Sequence, residues 1–356
     1  MAAGDEVVPE LIEVRSDERF DEARLAEYLR DRLPGGDRPL EVRQFGGGHA
    51  NLTYLLRYGG PGDEPLEYVL RRPPLGPVAK GAHDMKREHR ALSVLWQSFP
   101  LAPRAFLYCD SPDVVGADFF VMERRHGVVV RRVIPQEFGG GRDAAANRKL
   151  SEVLVDTLAA FHDIDAEEAG LGDLGKPEGF LRRQVEGWAS RFERSKTSEI
   201  AIANELRDWL LDCLPTSPAP TLLHNDWKLD NMAVAADDPG RCVAVYDWDM
   251  CTRGDPLCDL GSLMTSWHDA EDTVLSMPST SVGFLRRAEG IARYGDLSGR
   301  SLDEITYYLV FGTFKNAVVL QQIYSRYAQG QTVDERFAGM GQAAVELFQR
   351  AARLRD

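Results

Sequence analysis

Apolar residues recur at helical spacing from Asp17 to Leu33 (DERFDEARLAEYLRDRL), and Pro34-Gly35-Gly36 ends the run, which predicts a leading helix over 17–33. The pattern then changes. Pro39 to Phe45, Asn51 to Tyr58 and Leu66 to Arg72 are short β-prone runs separated by glycine-rich turns. A helix is expected from about Asp84 to Gln97. Strands follow over Arg104 to Asp110 and Asp118 to Glu123, with Ser111-Pro112-Asp113 turning the chain between them. This order describes a small antiparallel sheet with one helix packed on it. After Arg124 the period becomes mainly helical: Asp143 to Asp165, one or two helices in Phe180 to Leu214, then Glu304 to Tyr327 and Asp334 to Leu354. A strand interlude spans Thr221 to Met250. The expected class is α+β in two lobes, residues 1–123 with the leading helix and residues 124–356, mainly helical.

Length supports two lobes, since 356 residues exceed what one core usually holds. Apolar residues at 44% and charged residues at 28% suit a soluble globular chain. No run approaches the roughly 20 apolar residues of a membrane helix. Met1 to Glu10 is acidic and lacks the basic start and apolar core of a signal peptide, so the expected location is cytoplasmic. Five cysteines (Cys109, Cys213, Cys242, Cys251, Cys258) without a Cys-x-x-Cys pair read as free, buried thiols, with a metal cluster of the last three as the alternative. A net charge of −14 repels nucleic-acid backbones and mildly favours a cationic substrate.

The chemistry concentrates in Thr221 to Val234, which contains His224-x-Asp226-x-x-x-x-Asn231, the spacing of a kinase catalytic loop. Sixteen residues after Asn231 stands Asp247, followed by Asp249. Ala233 to Ala236 and Arg241 to Tyr246 read as strands joined by the turn Asp237-Asp238-Pro239-Gly240, a hairpin that returns Asp247 toward Asn231. Phosphoryl transfer needs a carboxylate to orient the acceptor hydroxyl and take its proton, a role that suits Asp226. It also needs hard oxygen ligands for Mg²⁺, which Asn231 and Asp247 supply, with Asp249 as a further ligand. His224 reads as a structural hydrogen-bonding residue. A lone Asp-x-Asp is a weak signal that also fits a helix cap; the ordered set is far more specific.

This segment resembles the aminoglycoside phosphotransferase family, whose fold is the two-lobed protein-kinase-like one. Gly254-Asp255-Pro256-Leu257-Cys258-Asp259-Leu260 matches that family's Gly-Asp-Pro-x-x-Asp-Leu signature, and the likeness runs from about Phe45 to Tyr327. Asp255 and Asp259 are expected to cap a helix and tie down a loop. The resemblance implies ATP and Mg²⁺ as cofactors and a phosphate-covering loop, for which Gly46, Gly47, Gly48 and Asn51 are candidates. Arg71, where the kinase strand lysine would fall, pairs with Glu88 of the next helix in this reading, and Arg72 ranks second. Lys228 adds charge at the transferred phosphate, or is a solvated loop lysine. Met122, Glu123 and Arg124 belong to the hinge expected to hold adenine.

Asp-Trp-Asp replaces Asp-Phe-Gly and no Ala-Pro-Glu segment follows, so a small-molecule alcohol is the expected acceptor rather than a protein. Segments 143–220 and 267–356 are expected to wall its pocket, with Asp249, Trp267, His268 and Arg326 as candidate contacts. The runs Tyr68 to Pro74, Ala82 to Glu88, Phe314 to Ala317 and Ile323 to Tyr327 look closest to the kinase domain fused to some acyl-CoA dehydrogenases. That likeness implies hydroxyacyl-CoA phosphorylation, while nothing in the chain resembles a flavin fold. An aminoglycoside kinase and a catalytically silent nucleotide-binding module are the competing readings.

Overall fold

Alternation of side chains across a pleated strand decides which face each residue takes, and in this chain it separates two neighbouring arginines. The computed structural model describes residues 10–46, 51–60, 62, 64–74, 84–267, 277–332 and 334–356. These divide into two compact units: one reaches His126 and takes in Tyr246–Met250, and the other holds Gly127–Val245 and Cys251–Asp356. The boundary thus falls three residues past the expected 123/124 division. In addition, the Asp247 segment packs with the first unit instead of with the lobe that surrounds it in sequence.

The first unit contains β1 (Leu11–Ile12), α1 (Glu22–Leu29), β2 (Leu40–Phe45), β3 (Leu52–Tyr58), β4 (Leu66–Arg72), α2 (Met85–Leu95), β5 (Ala105–Cys109), α3 (Pro112–Val115) and β6 (Phe119–Glu123). The sheet order is β1-β2-β3-β4-β6-β5, antiparallel throughout. Leu25 and Leu29 of α1 pack with Tyr54, Leu56, Tyr68, Leu70 and Val121 from one sheet face. The leading helix is shorter than its apolar pattern predicts. It starts only after Asp21, whose carboxylate accepts from the Arg24 N–H, because residues before it are drawn out to the sheet: Tyr54 and Arg72 both donate to the Glu18 carbonyl. At its other end Gly36 lies so close to the Leu29 carbonyl that a Cβ would sit 2.5 Å away. Ser111-Pro112-Asp113 begins the one-turn helix α3, with proline at its first position and Gly116 ending it at φ 85°.

The second unit comprises β7 (Val128–Val129), α4 (Ala144–His162), α5 (Phe180–Ser195), α6 (Ala201–Asp212), β8 (Thr221–Leu223), β9 (Met232–Ala235), β10 (Asp238–Val245), β11 (Thr252–Gly254), α7 (Leu257–Thr265), α8 (Arg287–Ser298), α9 (Ile305–Ala328) and α10 (Met340–Arg355). Its strands form two small sheets, β10-β9-β7 and β11-β8. The expected turn at Asp237 to Gly240 is tighter than its composition suggests: Asp238 already pairs with Ala235, and Pro239 and Gly240 fall in a bulge within β10. The helical run 180–214 is two helices, broken where Lys196 turns extended. Among the described residues no helix is long and apolar enough to cross a membrane.

Candidate active site

In the first unit, Val69 and Arg71 share the face of β4 that looks toward α2. Asp84 caps α2 by accepting from the Arg87 N–H, which fixes the first helical turn that carries Glu88. Arg71 Nε lies 3.2 Å from Glu88 Oε2, and its Nη2 donates to Asp247 Oδ1 at 2.7 Å. Glu88 also accepts from the Trp248 N–H through Oε1, so one carboxylate ties the arginine to the Asp247 segment. Trp248 is buried edge-on against Phe99. Burial opposes charge on Arg71, but the carboxylates of Glu88 and Asp247 outweigh it and raise its pKa, so the guanidinium is a fixed cation. Burial pushes the Glu88 carboxyl upward, and Arg71 opposes that shift.

Arg72 stands on the opposite face. Its guanidinium donates to the carbonyls of Val115 and Glu18 and to the Tyr54 hydroxyl, all structural partners. Gly46 has its N–H bonded to the Glu10 carbonyl and its own carbonyl accepting from Arg15, so it serves the β1–β2 edge rather than offering a free donor. Gly47 and Gly48 lie outside the described residues. Asn51 is buried at the start of β3. Met122 is buried opposite Val69, and the Glu123 N–H is bonded to the Arg104 carbonyl. Arg124 pairs with Glu10 and covers the Phe45 ring, so both side chains, Glu123 with Arg125 and Arg124 with Glu10, already have ionic partners.

In the second unit the residues between β8 and β9 form a loop whose His224, Asn225 and Asp226 N–H groups all have partners. Asp259, in the first turn of α7, accepts from the N–H groups of His224 and Asn225 at 2.7 and 2.8 Å. His224 Nδ1 accepts from the Asp226 N–H, and the buried Trp227 donates to the Leu154 carbonyl while stacking on Phe161. Asp255 accepts from the Leu257 N–H and the Tyr308 hydroxyl at the start of α7. The outcome is a defined carboxylate. Asp226 Oδ2 accepts from Lys228 Nζ at 2.8 Å and Asn231 Nδ2 at 2.9 Å, whereas Oδ1 accepts no hydrogen bond from described residues. The side chain is 36% exposed, open enough to meet a substrate.

Among the described residues, the only non-glycine residues with positive φ are Asn225 (67°) and Asp247 (68°). Asparagine and aspartate tolerate that region best, and such conformations persist where the surroundings enforce them. β9 and β10 pair with Met232 opposite Val245, so Asn231 immediately precedes β9 and Asp247 follows β10 by two residues in the chain. No three His, Cys, Asp or Glu side chains converge as a cage among the described residues. Magnesium needs no such cage: one or two carboxylates plus phosphate oxygens and waters suffice. Asp247 fits, being 26% exposed and already facing a cation, and Asn231 fits because its amide nitrogen is anchored on Asp226, leaving the carbonyl oxygen as donor. Asp249 lies near enough to Arg71 and Glu88 to affect both electrostatically.

Trp267 is no acceptor contact. It is fully buried, donates to the Leu285 carbonyl and packs on Phe284. Arg326 is exposed on α9, and His268 lies outside the described residues. The thiols are free; Cys109, Cys251 and Cys258 are buried and Cys213 is exposed, contrary to its reading as a core residue. Lys315 and His162 were not singled out from sequence, because their links to the loop come from helices far along the chain.

The model of the phosphotransferase enzyme family (APH) matches residues 41–295. A chicken (Gallus gallus) protein, acyl-CoA dehydrogenase family member 11, is 31% identical over 92% of this chain and 43% of its own length. Its human counterpart is 30% identical over 92% of this chain and 42% of its own length. The chain therefore spans less than half the length of these curated relatives. Among solved structures, a Ralstonia eutropha protein assigned as an aminoglycoside phosphotransferase has a TM-score of 0.80 and 28% identity, covering 94% of this chain and 98% of its own. An ethanolamine kinase of Plasmodium vivax, at TM-score 0.61 and 14% identity over 94% of this chain and 92% of its own, shares the fold.

Proposed function

This chain belongs to the phosphotransferase enzyme family, and we propose that it transfers the γ-phosphate of ATP, with Mg²⁺, to a hydroxyl group of a small molecule. The observation that carries this reading is the Asp226 carboxylate, oriented through one oxygen by Lys228 and Asn231 and open at the other. Asp226 Oδ1 takes the acceptor proton as the hydroxyl oxygen bonds to the γ-phosphorus and the bond to the β-phosphate oxygen breaks. Asn231 and Asp247 would hold Mg²⁺, with Asp249 adding negative charge; when bound, the ion neutralises phosphate oxygens. Arg71, fixed by Glu88, offers its guanidinium to the phosphates. Because the Glu123 N–H is engaged with Arg104, adenine would meet hinge backbone from Arg124 onward.

For the acceptor, the likeness to acyl-CoA dehydrogenase family member 11 favours a hydroxyacyl thioester. An aminoglycoside is the second reading, supported by the Ralstonia relative and by the charge of −14. The test is phosphate transfer from labelled ATP across hydroxyacyl-CoAs, aminoglycosides, sugars and amino alcohols, with Asp226→Asn as the control. The reading expects product with one class only and none from the control. Equal transfer by the control removes Asp226 from its role, and transfer to aminoglycosides alone overturns the thioester assignment.

A further inference from the structure

Lys315 sits in the middle of α9, three residues after Gly312. There α9 crosses α7 backbone against backbone: a Cβ on Gly312 would lie 2.8 Å from the Gly261 carbonyl, and one on Gly261 would lie 2.3 Å from the Tyr308 carbonyl oxygen. Residues three apart share a helix face, so the crossing that seats α9 on α7 also delivers Lys315 to the loop that α7 supports. The residue is 8% exposed. Its ammonium donates to the Asn225 carbonyl at 2.6 Å and stands 5.7 Å from the centre of the Trp188 ring.

Asn225 is thereby held from both ends. Asp259 of α7 takes its N–H, and Lys315 of α9 takes its C=O, an anion on the donor and a cation on the acceptor. Its left-handed φ of 67° is a conformation that an unrestrained chain leaves readily. Asp226 is the next residue, so the direction of its carboxylate depends on this peptide. Burying an ammonium group is costly, and holding one carbonyl does not by itself require a charge. Burial pulls the Lys315 pKa down and Lys228 adds to the lowering, while the carboxylates of Asp226 and then Asp259 oppose it, and the net shift is downward.

We propose that Lys315 is a positioning residue for phosphoryl transfer, its buried ammonium holding the Asn225 carbonyl so that the Asp226 carboxylate is presented in its working direction. The proposal rests on the reading of Asp226 as the proton acceptor. It is tested in the full chain with Lys315→Met, Lys315→Gln and Lys315→Arg. Two readouts apply: hydrogen exchange of the 222–228 peptide, and steady-state hydrolysis of Mg-ATP with water as acceptor.

In Lys315→Met the loop amides should exchange about tenfold faster while those of α9 keep their protection. The kcat should fall about 10²-fold, the scale of a misplaced catalytic group, with KM for Mg-ATP unchanged. Lys315→Arg should restore most of both, and Lys315→Gln, where its neutral donor restores loop protection, should restore kcat in step with it. Unchanged loop exchange in Lys315→Met overturns the tether, whatever the activity. A change in KM alone, or loop protection recovered in Lys315→Gln without recovery of kcat, overturns the positioning role. A wild-type chain that hydrolyses no ATP contradicts the proposed function instead, and the exchange result then still judges the tether.

Discussion

Arg71 and Arg72 carry the same charge one residue apart, and the pleat sends them to different work. Arg71 faces Glu88 and Asp247; Arg72 faces Tyr54 and two backbone carbonyls. Substituting each by methionine should therefore separate nucleotide binding from stability. Arg71→Met should weaken Mg-ATP binding by about tenfold or more, the loss of one charge-assisted contact. Arg72→Met should leave ATP affinity alone and cost about 2–4 kcal/mol in denaturant unfolding, since it strands buried acceptors. Equal loss of ATP affinity in both variants would assign the phosphates to the wrong arginine. The distinction was legible in sequence because strand alternation needs only local information. Lys315 was not: its link to Asn225 spans 90 residues, and a lysine in an apolar helix has no local mark of its partner.

At the scale of elements, three helices meet behind the loop. His162 ends α4, Asp259 begins α7, and Tyr294 belongs to α8. His162 Nδ1 lies 2.8 Å from the Tyr294 hydroxyl and Nε2 lies 3.4 Å from Asp259 Oδ2, which suits a neutral ring accepting from the tyrosine and donating to the aspartate. Burial lowers the His162 pKa despite the pull of Asp259. Burial pushes Asp259 up, but His162 and the loop N–H groups more than offset it, and its pKa is lowered. Both shifts have the same consequence. As pH falls through about 6.5 the unfolded histidine takes a proton that the folded one refuses, so stability is lost toward acid. Asp259 adds a further loss as pH drops below about 3.9. His162→Gln should flatten the fall in melting temperature between neutral pH and the carboxylate range, with His89, also lowered by burial, supplying what slope remains. An unchanged slope would show that His162 is protonated in the folded chain. The elements themselves were largely readable, since long amphipathic runs and capped turns are local. Their ends were not, because α1 yields residues to Arg72 and β10 absorbs the Pro239-Gly240 turn as a bulge.

For the whole molecule, the sequence suggests a single cut, yet residues 246–250 pack with the first unit, where Glu88 holds the Trp248 N–H and Arg71 holds Asp247. That return could not be read from spacing, which places Asp247 after Asn231 but does not say which core receives Trp248. The charge of −14 adds a constraint at this scale: on the proposed reading, an anionic nucleotide would have to be drawn by local cations and a metal ion against a repulsive field. Titration calorimetry of AMP-PNP with and without Mg²⁺, on the wild type, Asp247→Ala and Asp226→Asn, decides whether Asp247 serves the metal and Asp226 the chemistry. Binding should depend on Mg²⁺ in the wild type, be lost in Asp247→Ala, and keep wild-type affinity in Asp226→Asn. Binding that ignores Mg²⁺, or that survives intact in Asp247→Ala, would contradict that assignment.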